Sequence, residues 1–297
     1  MELVFQAKSE FYFSDPDCPV AVKRVAASNA AQHLHDLTTE PHRHDFAELV
    51  IITAGNGVQV VDGGEYAVSL GDVFLIQGNG AHYFLERNRV SMINVLYDPA
   101  RLPLPFGWLR RLPGYNVIFE LEPSVRSAET FKHHLKLSAA ELAEAVEIVG
   151  KLEREQEQDT PGAELAAFQR LLELIVFISR CYDAPPAENL AAVMRVGRII
   201  SLLESEFMRE WRLEELAKLA ATSPNNLLRL FRTVTGTSPV DYLIRVRLRR
   251  AAEALKNTPG AVAEIAADCG FADSNYFARK FRAAYGVSPR EFRKRPL

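Results

Sequence analysis

Few features tie this chain to a membrane, a disulfide scaffold or a zinc module. Its 297 residues include three cysteines, Cys18, Cys181 and Cys269. They are odd in number, scattered and without zinc-type spacing, so they are expected to be reduced thiols of a cytoplasmic protein. Long apolar runs are also missing. The most apolar stretch, Leu165 to Ile178, is interrupted by Gln169, Arg170 and Glu173 and is shorter than the ~20 residues that cross a bilayer. After Met1-Glu2-Leu3-Val4-Phe5-Gln6-Ala7-Lys8 the chain turns polar, where a secretory signal would continue into an apolar core.

Net charge is small as well, −3 for the whole chain, but that value conceals a split. Residues 193–297 carry 19 Lys and Arg against 11 Asp and Glu, a net of +8, while residues 1–192 carry 16 against 27, a net of −11. A basic C-terminal module is the electrostatic footprint of polyanion binding. The length exceeds that of an ordinary single domain, so two domains are expected. The Pro-rich stretch Asp183-Ala184-Pro185-Pro186-Ala187-Glu188 reads as the join between them.

The basic module writes a single local pattern twice. Ser223-Pro224-Asn225-Asn226-Leu227-Leu228-Arg229-Leu230-Phe231-Arg232, followed by Gly236 and Ser238-Pro239, is answered by Asp273-Ser274-Asn275-Tyr276-Phe277-Ala278-Arg279-Lys280-Phe281-Arg282, Gly286 and Ser288-Pro289. From Ser223 and Asp273 onward the two copies are fifty residues apart, whereas upstream Leu216-Ala217 and Ile265-Ala266 are forty-nine apart. The second copy therefore has one extra residue in its turn. A repeat at such a period signals a duplicated supersecondary element.

Each copy predicts two helices around a tight turn. Short apolar-periodic runs over 213–220 and 261–268 end at Ala221-Thr222-Ser223 and at Cys269-Gly270-Phe271-Ala272, where Gly270 can take a left-handed conformation. A second helix then starts from Ser223 with Pro224 behind it, or from Asp273, both N-cap residues. Leu227, Leu230 and Phe231, or Phe277 and Phe281, bury one face. The outward sets, Asn225, Asn226, Leu228, Arg229 and Arg232 in one copy and Ser274, Asn275, Ala278, Arg279 and Arg282 in the other, suit base and phosphate edges. Arg bonds guanine bidentately, Asn bonds adenine, and Leu or Ala meets a thymine methyl. Between the copies, Ser238 to about Lys256 predicts one connecting helix. Its Arg245, Arg247, Arg249 and Arg250 are phosphate candidates or plain solubilising charges.

These residues carry a family resemblance. The C-terminal hundred residues resemble the DNA-binding domain of the AraC/XylS family of bacterial transcription regulators. The matching features are Gly236-Thr237-Ser238-Pro239, Gly286-Val287-Ser288-Pro289, and Ile265-Ala266 followed by Cys269-Gly270-Phe271 and Ser274-Asn275-Tyr276-Phe277. The second copy fits the signature closely and the first more loosely. The resemblance implies two helix-turn-helix units on double-stranded DNA. Asn225, Leu228 and Arg229, with Ser274, Asn275, Ala278 and Arg279, would face the bases.

The N-terminal region alternates short apolar runs with turn residues: Leu49-Val50-Ile51-Ile52, then Ala54-Gly55-Asn56-Gly57, Val58-Gln59-Val60-Val61, Asp62-Gly63-Gly64, and on to Gly71-Asp72-Val73-Phe74-Leu75-Ile76. Several short strands with Gly-rich turns predict a small barrel or jelly roll. His42, His44 and Glu48 share one strand parity and so one face of an unbroken strand. With Gly55, Gly71 and His82 they resemble the two cupin motifs, in which three histidines and a glutamate hold a divalent metal. Gln77, Asn79 and Glu86 depart from that pattern. The residues would hold zinc, nickel, iron or manganese, or would hydrogen-bond an effector directly. Within the family, His42-Arg43-His44-Asp45-Phe46-Ala47-Glu48-Leu49-Val50 and Asn94-Val95-Leu96-Tyr97 look most like the rhamnose-responsive regulators.

The expected fold is therefore α+β and multidomain. It comprises a cupin-like barrel over 1–136, a helical dimerisation segment over 137–183, a linker over 184–192 and an all-α DNA-binding domain over 193–297. The dimerisation segment rests on two apolar-periodic helices, 138–158 and 164–182. The expected function is a non-enzymatic, homodimeric transcription regulator sensing a small molecule, a sugar or sugar derivative first, and meeting RNA polymerase if it activates. The alternative is a metal-dependent cupin enzyme, isomerase or dioxygenase in type, fused to a DNA-binding module.

Overall fold

The computed structural model describes residues 4–13, 15, 17–27, 40–77, 80–121, 135–158, 160–182 and 191–294. The chain divides into two compact units, residues 1–194 and 195–297. The expected linker lies outside the described residues up to 190, and its last two residues already open helix Ala191–Ser205.

The first unit is built on an eight-stranded sheet: β1 Phe5–Ala7, β2 Val20–Val25, β3 His42–His44, β4 Ala47–Val61, β5 Gly64–Ser69, β6 Asp72–Ile76, β7 His82–Tyr97 and β8 Leu135–Lys136. The strand path is β1-β3-β7-β4-β6-β8, with β2 also on β7 and β5 also on β4. Alternation decides which side chains meet. Val50 and Ile52 of β4, Phe74 and Ile76 of β6, and Phe84, Val90 and Met92 of β7 join Val25 and Val68 in one apolar cluster. The intervening Leu49, Ile51, Val73, Leu75, Ile93 and Val95 are equally buried, so both faces of the sheet are covered. Two helices, α1 Ala139–Gln156 and α2 Ala163–Cys181, pack together beside it. Arg24 of β2 reaches α1 through two hydrogen bonds to Glu153, at 2.7 and 2.8 Å.

One expectation fails here. Ala54-Gly55-Asn56-Gly57 is not a turn; it runs through the middle of the fifteen-residue β4, which stays paired with β7 across register shifts at Ile52/Ala54 and Ala54/Asn56. Gly55 sits at φ +74°, and a Cβ there would lie 2.2 Å from the Arg89 carbonyl oxygen. A bulge needs the same conformational freedom as a turn, and it bends the strand without ending it. The turn at Asp62-Gly63 forms as expected, with φ of +50° and +80°, and closes the β4–β5 hairpin in the mirror-image sense such hairpins favour.

The second unit is helical. It comprises α3 Ala191–Ser205, α4 Leu213–Leu219, α5 Pro224–Thr235, α6 Pro239–Asn257, α7 Val262–Asp268, α8 Ser274–Tyr285 and α9 Pro289–Lys294. The start of α4 and that of α7 are forty-nine residues apart and the starts of α5 and α8 are fifty, as the sequence repeat requires. Ser223 caps α5 by accepting from the Asn226 amide, and Asp273 caps α8 by accepting from Asn275 and Tyr276. Gly236 and Gly286 end these helices at φ +69° and +74°. The short turns reverse differently: Gly270 takes φ +84° in the second copy, but in the first a non-glycine residue, Ala221, takes φ +48°. Leu227, Phe231, Phe277 and Phe281 are fully buried, which fixes the rotation of α5 and α8 and turns their polar sets outward.

Candidate functional site

On α5, Asn225, Arg229 and Arg232 are exposed, while Asn226 and Leu228 are half-buried. On α8, Ser274, Asn275, Arg279 and Arg282 are exposed and Ala278 is half-buried. Asn226 is engaged at both ends of its amide. Its Nδ2 donates to Thr222 Oγ1 at 2.7 Å, and its Oδ1 accepts from Arg229 Nη2 at 2.9 Å. In the second copy the guanidinium of Arg279 lies 5.5 Å from the centre of the Tyr276 ring, with Lys280 Nζ at 5.6 Å from it.

The connecting helix α6 corrects the set of phosphate candidates. Arg247 donates from Nε to the Phe207 carbonyl at 2.7 Å and from Nη2 to the Arg209 carbonyl at 2.9 Å. Arg249 pairs with Glu204 at 2.5 Å, and Arg250 pairs with Glu253 at 3.4 Å and covers the Phe207 ring. Glu204 is completely buried and also accepts from the Tyr242 hydroxyl at 3.0 Å. Three of the four arginines thus hold α6 to its surroundings, and Arg245 is exposed. Sequence spacing missed this because the partners of Arg247 and Arg249 lie about forty residues upstream.

In the first unit a polar cluster forms where β3, β4 and β7 meet. The β3 strand breaks at Asp45-Phe46, so His42 and His44 are not in one unbroken strand with Glu48. They still converge, because β3 pairs His42 with His82 while β4 pairs Val61 with His82. Glu48 Oε2 lies 3.0 Å from His44 Nε2 and 3.3 Å from His82 Nε2. One donor atom each from His44, Glu48 and His82 falls within 4.8 Å of the others. His42 stands beside this trio, its ring centroid 4.1 Å from that of His82. All four residues are buried. Burial, reinforced by the neighbouring His82, pushes the His42 imidazole down to about 4. Burial alone would raise the Glu48 carboxyl, but hydrogen bonds from His44 and His82 outweigh it and hold the group well below the usual carboxylate range.

His44 Nδ1 lies 2.7 Å from the Phe46 carbonyl, which accepts only if Nδ1 carries hydrogen. Nε2 is then the atom turned toward the Glu48 carboxylate, and a hydrogen bond between the two needs a hydrogen on that nitrogen as well. Two amides extend the polar interior. Gln59 Oε1 and Asn94 Oδ1 are buried with no hydrogen-bond partner among the described residues. Gln59 lies opposite Phe84, and Asn94 lies opposite Val50 and Lys23, so both share the face of the apolar cluster and the histidines. The signal for them is a lone amide at an interior-parity position of an apolar strand.

A family model described as an AraC-like ligand binding domain matches residues 28–176, and one described as a helix-turn-helix domain matches residues 216–295. The HTH-type transcriptional activator RhaR of Escherichia coli (strain K12) is 29% identical over 287 residues, covering 96% of this chain and 95% of its own length. Among solved structures, a probable AraC family transcriptional regulator from Rhodopseudomonas palustris CGA009 is 33% identical, with a TM-score of 0.33, over 34% of this chain and 98% of its own. The DNA-binding domain of AdpA, solved in complex with a target DNA, is 28% identical, with a TM-score of 0.32, over 33% of this chain and 89% of its own. The two family models and the full-length relative RhaR describe a transcription regulator, which sets aside the fused-enzyme alternative. Among the described residues no helix is long and apolar enough to cross a membrane.

Proposed function

Because this chain belongs to the AraC family of DNA-binding transcription regulators, we propose that it reads an operator with two helix-turn-helix units, α4–α5 and α7–α8, under control of an effector held in a barrel formed by its sheet. The observation that carries the reading is the matched exposure of Arg229 and Arg279, fifty residues apart, on helices whose opposite faces are sealed by phenylalanine. Asn225, Arg229 and Arg232 of α5 and Ser274, Asn275, Arg279 and Arg282 of α8 face DNA, with Leu228 and Ala278 meeting thymine methyls. The division proposed is sensing over 1–136, dimerisation over 137–183, a linker over 184–192 whose last two residues open α3, and DNA binding over 193–297. Footprinting across the genome with and without candidate sugars tests this. Protection limited to non-specific sites would overturn it.

The effector is a small polyhydroxy compound, a sugar or sugar derivative. Gln59 Oε1 and Asn94 Oδ1 are acceptors awaiting donors, as hydroxyl groups are, and an unsatisfied buried amide is costly. A ligand that binds only the folded protein raises its melting temperature, so a thermal-shift screen of sugars identifies it. His44, Glu48 and His82 have the donor set for a divalent metal such as zinc, nickel, iron or manganese, with His42 beside them. When bound, the metal would offer open positions to ligand oxygens. Metal analysis of protein purified without a His-tag decides whether one is held.

The chain assembles as a homodimer through α2. Leu165 is 72% exposed and Leu172 and Val176 are half-buried along one face of that helix. Light scattering at micromolar concentration would show a monomer if this is wrong. Similarity to RhaR over nearly the full length, a protein described as an activator, favours activation with RNA polymerase as partner.

A further inference from the structure

In both copies the arginine exposed on the outward helix is met by the side chain three residues before it. Residues three apart are neighbours on a helix surface, so this contact is intrahelical and present without DNA. In the first copy it is a hydrogen bond. Asn226 is itself fixed, since its Nδ2 donates to Thr222 and leaves Oδ1 directed at Arg229. In the second copy the equivalent residue is Tyr276, with Arg279 over its ring. That tyrosine packs against the core cluster of the unit, which contains Phe271, Phe277 and Phe281.

We infer that Asn226 and Tyr276 are positioning residues that set base specificity by holding Arg229 and Arg279 toward the groove, and that Asn226 reads no base of its own. This rests on the DNA-reading role of the two arginines given above. Each polar end of the Asn226 amide already holds a partner within the unit, so the plane of the amide is set by Thr222 and Arg229 rather than by a base, and only one N–H and one lone pair remain. Arg is rich in rotamers, and ordering such a side chain on binding costs about 0.5–1.5 kcal/mol, equivalent to about two- to twelvefold in affinity. A partner that orders it beforehand removes that cost for the base whose geometry fits. The two copies differ in how narrowly they do so. A hydrogen bond to Oδ1 fixes the plane of the Arg229 guanidinium, whereas a ring face lets the Arg279 guanidinium slide. Arg229 is therefore the more selective of the two.

The test is selection from a pool of random DNA duplexes by the full-length protein and by R229A, N226A, N226D, R279A and Y276L. R229A should lose preference at one base pair by about 5- to 150-fold. N226A should lose about two- to twelvefold at that same base pair and at no other. N226D keeps the acceptor oxygen and should restore the preference. Y276L removes the ring but keeps an apolar side chain against the core, and it should lose about two- to twelvefold at the base pair that R279A affects; an unchanged preference there would overturn the role of Tyr276. The double variant N226A/R229A should match R229A alone. If R229A alters no base pair, the reading role of Arg229 falls and this proposal falls with it. If R229A acts but N226A acts at a different base pair, or only lowers the melting temperature, the positioning role alone is overturned.

Discussion

Replacing Glu204 with alanine should unfold the DNA-binding unit at a much lower temperature while sparing the other unit. Glu204 ends α3 with no exposed surface, and both donors to its carboxylate, Tyr242 and Arg249, stand on α6. The change removes the carboxylate that accepts from both of these donors. Removing one partner of a sealed ion pair costs about 3–5 kcal/mol. The Arg249 side chain keeps 31% of its surface in contact with water, so the orphaned charge is partly solvated and about 2–4 kcal/mol is expected. For a unit of this size each kcal/mol lowers the melting temperature by about 4–8 °C, giving a drop of roughly 8–32 °C. E204Q keeps an oxygen for Tyr242 and should cost about 1–2 kcal/mol. Calorimetry of the full chain reads both units at once. An E204A transition within about 3 °C of wild type would show that the pair contributes nothing net, and the anchoring role of α3 would be refuted.

Other outcomes follow from the same physics. His42 is neutral and buried in the folded state at about 4, below its ordinary value of 6.5, so the unfolded chain binds its proton first and stability falls as pH drops from 6.5 to 4. The loss amounts to roughly 3 kcal/mol, and urea midpoints of H42F should be flatter with pH across that window. G55A should destabilise the first unit by at least about 2 kcal/mol, because Ala disfavours φ +74° and its Cβ collides with the Arg89 carbonyl; a neutral result in urea would mean that the bulge relaxes freely. R279A should cost about 1–3 kcal/mol of DNA affinity at one base pair distinct from that of R229A, and a uniform loss over all sequences would demote Arg279 to a phosphate contact.

The helical unit is the more legible portion of this sequence. Its caps, its glycine stops and the step from forty-nine to fifty are local signals, and the helices begin and end where those residues stand. The first unit is harder to read. Gly55 carries the same mark in a bulge as in a turn, and only the partner strand decides between them. Parity alone places His42, His44 and Glu48 together, and the structure brings them together in spite of the break at Asp45-Phe46, because β7 supplies His82 to both β3 and β4. Arg247 and Arg249 look like surface charges in any window of α6. Their carbonyl and carboxylate partners are 38 to 45 residues away, beyond the reach of periodicity. The inward amides Gln59 and Asn94 are visible as polar residues in apolar strands, but their lack of partners is a property of three dimensions.

The arginines committed on α6 also bear on how this protein meets ions in solution. Phosphate neutralisation draws its free energy from released counterions, and each phosphate contacted adds about 0.9 to the slope of log affinity against log salt. A guanidinium already neutralised by Glu204 or Glu253, or spent on backbone carbonyls, releases no such ions when DNA arrives. The count of 19 Lys and Arg over residues 193–297 therefore overstates the cations that take part. Binding should weaken less steeply with added salt than that count implies, leaving a larger share of the affinity to contacts that distinguish one sequence from another.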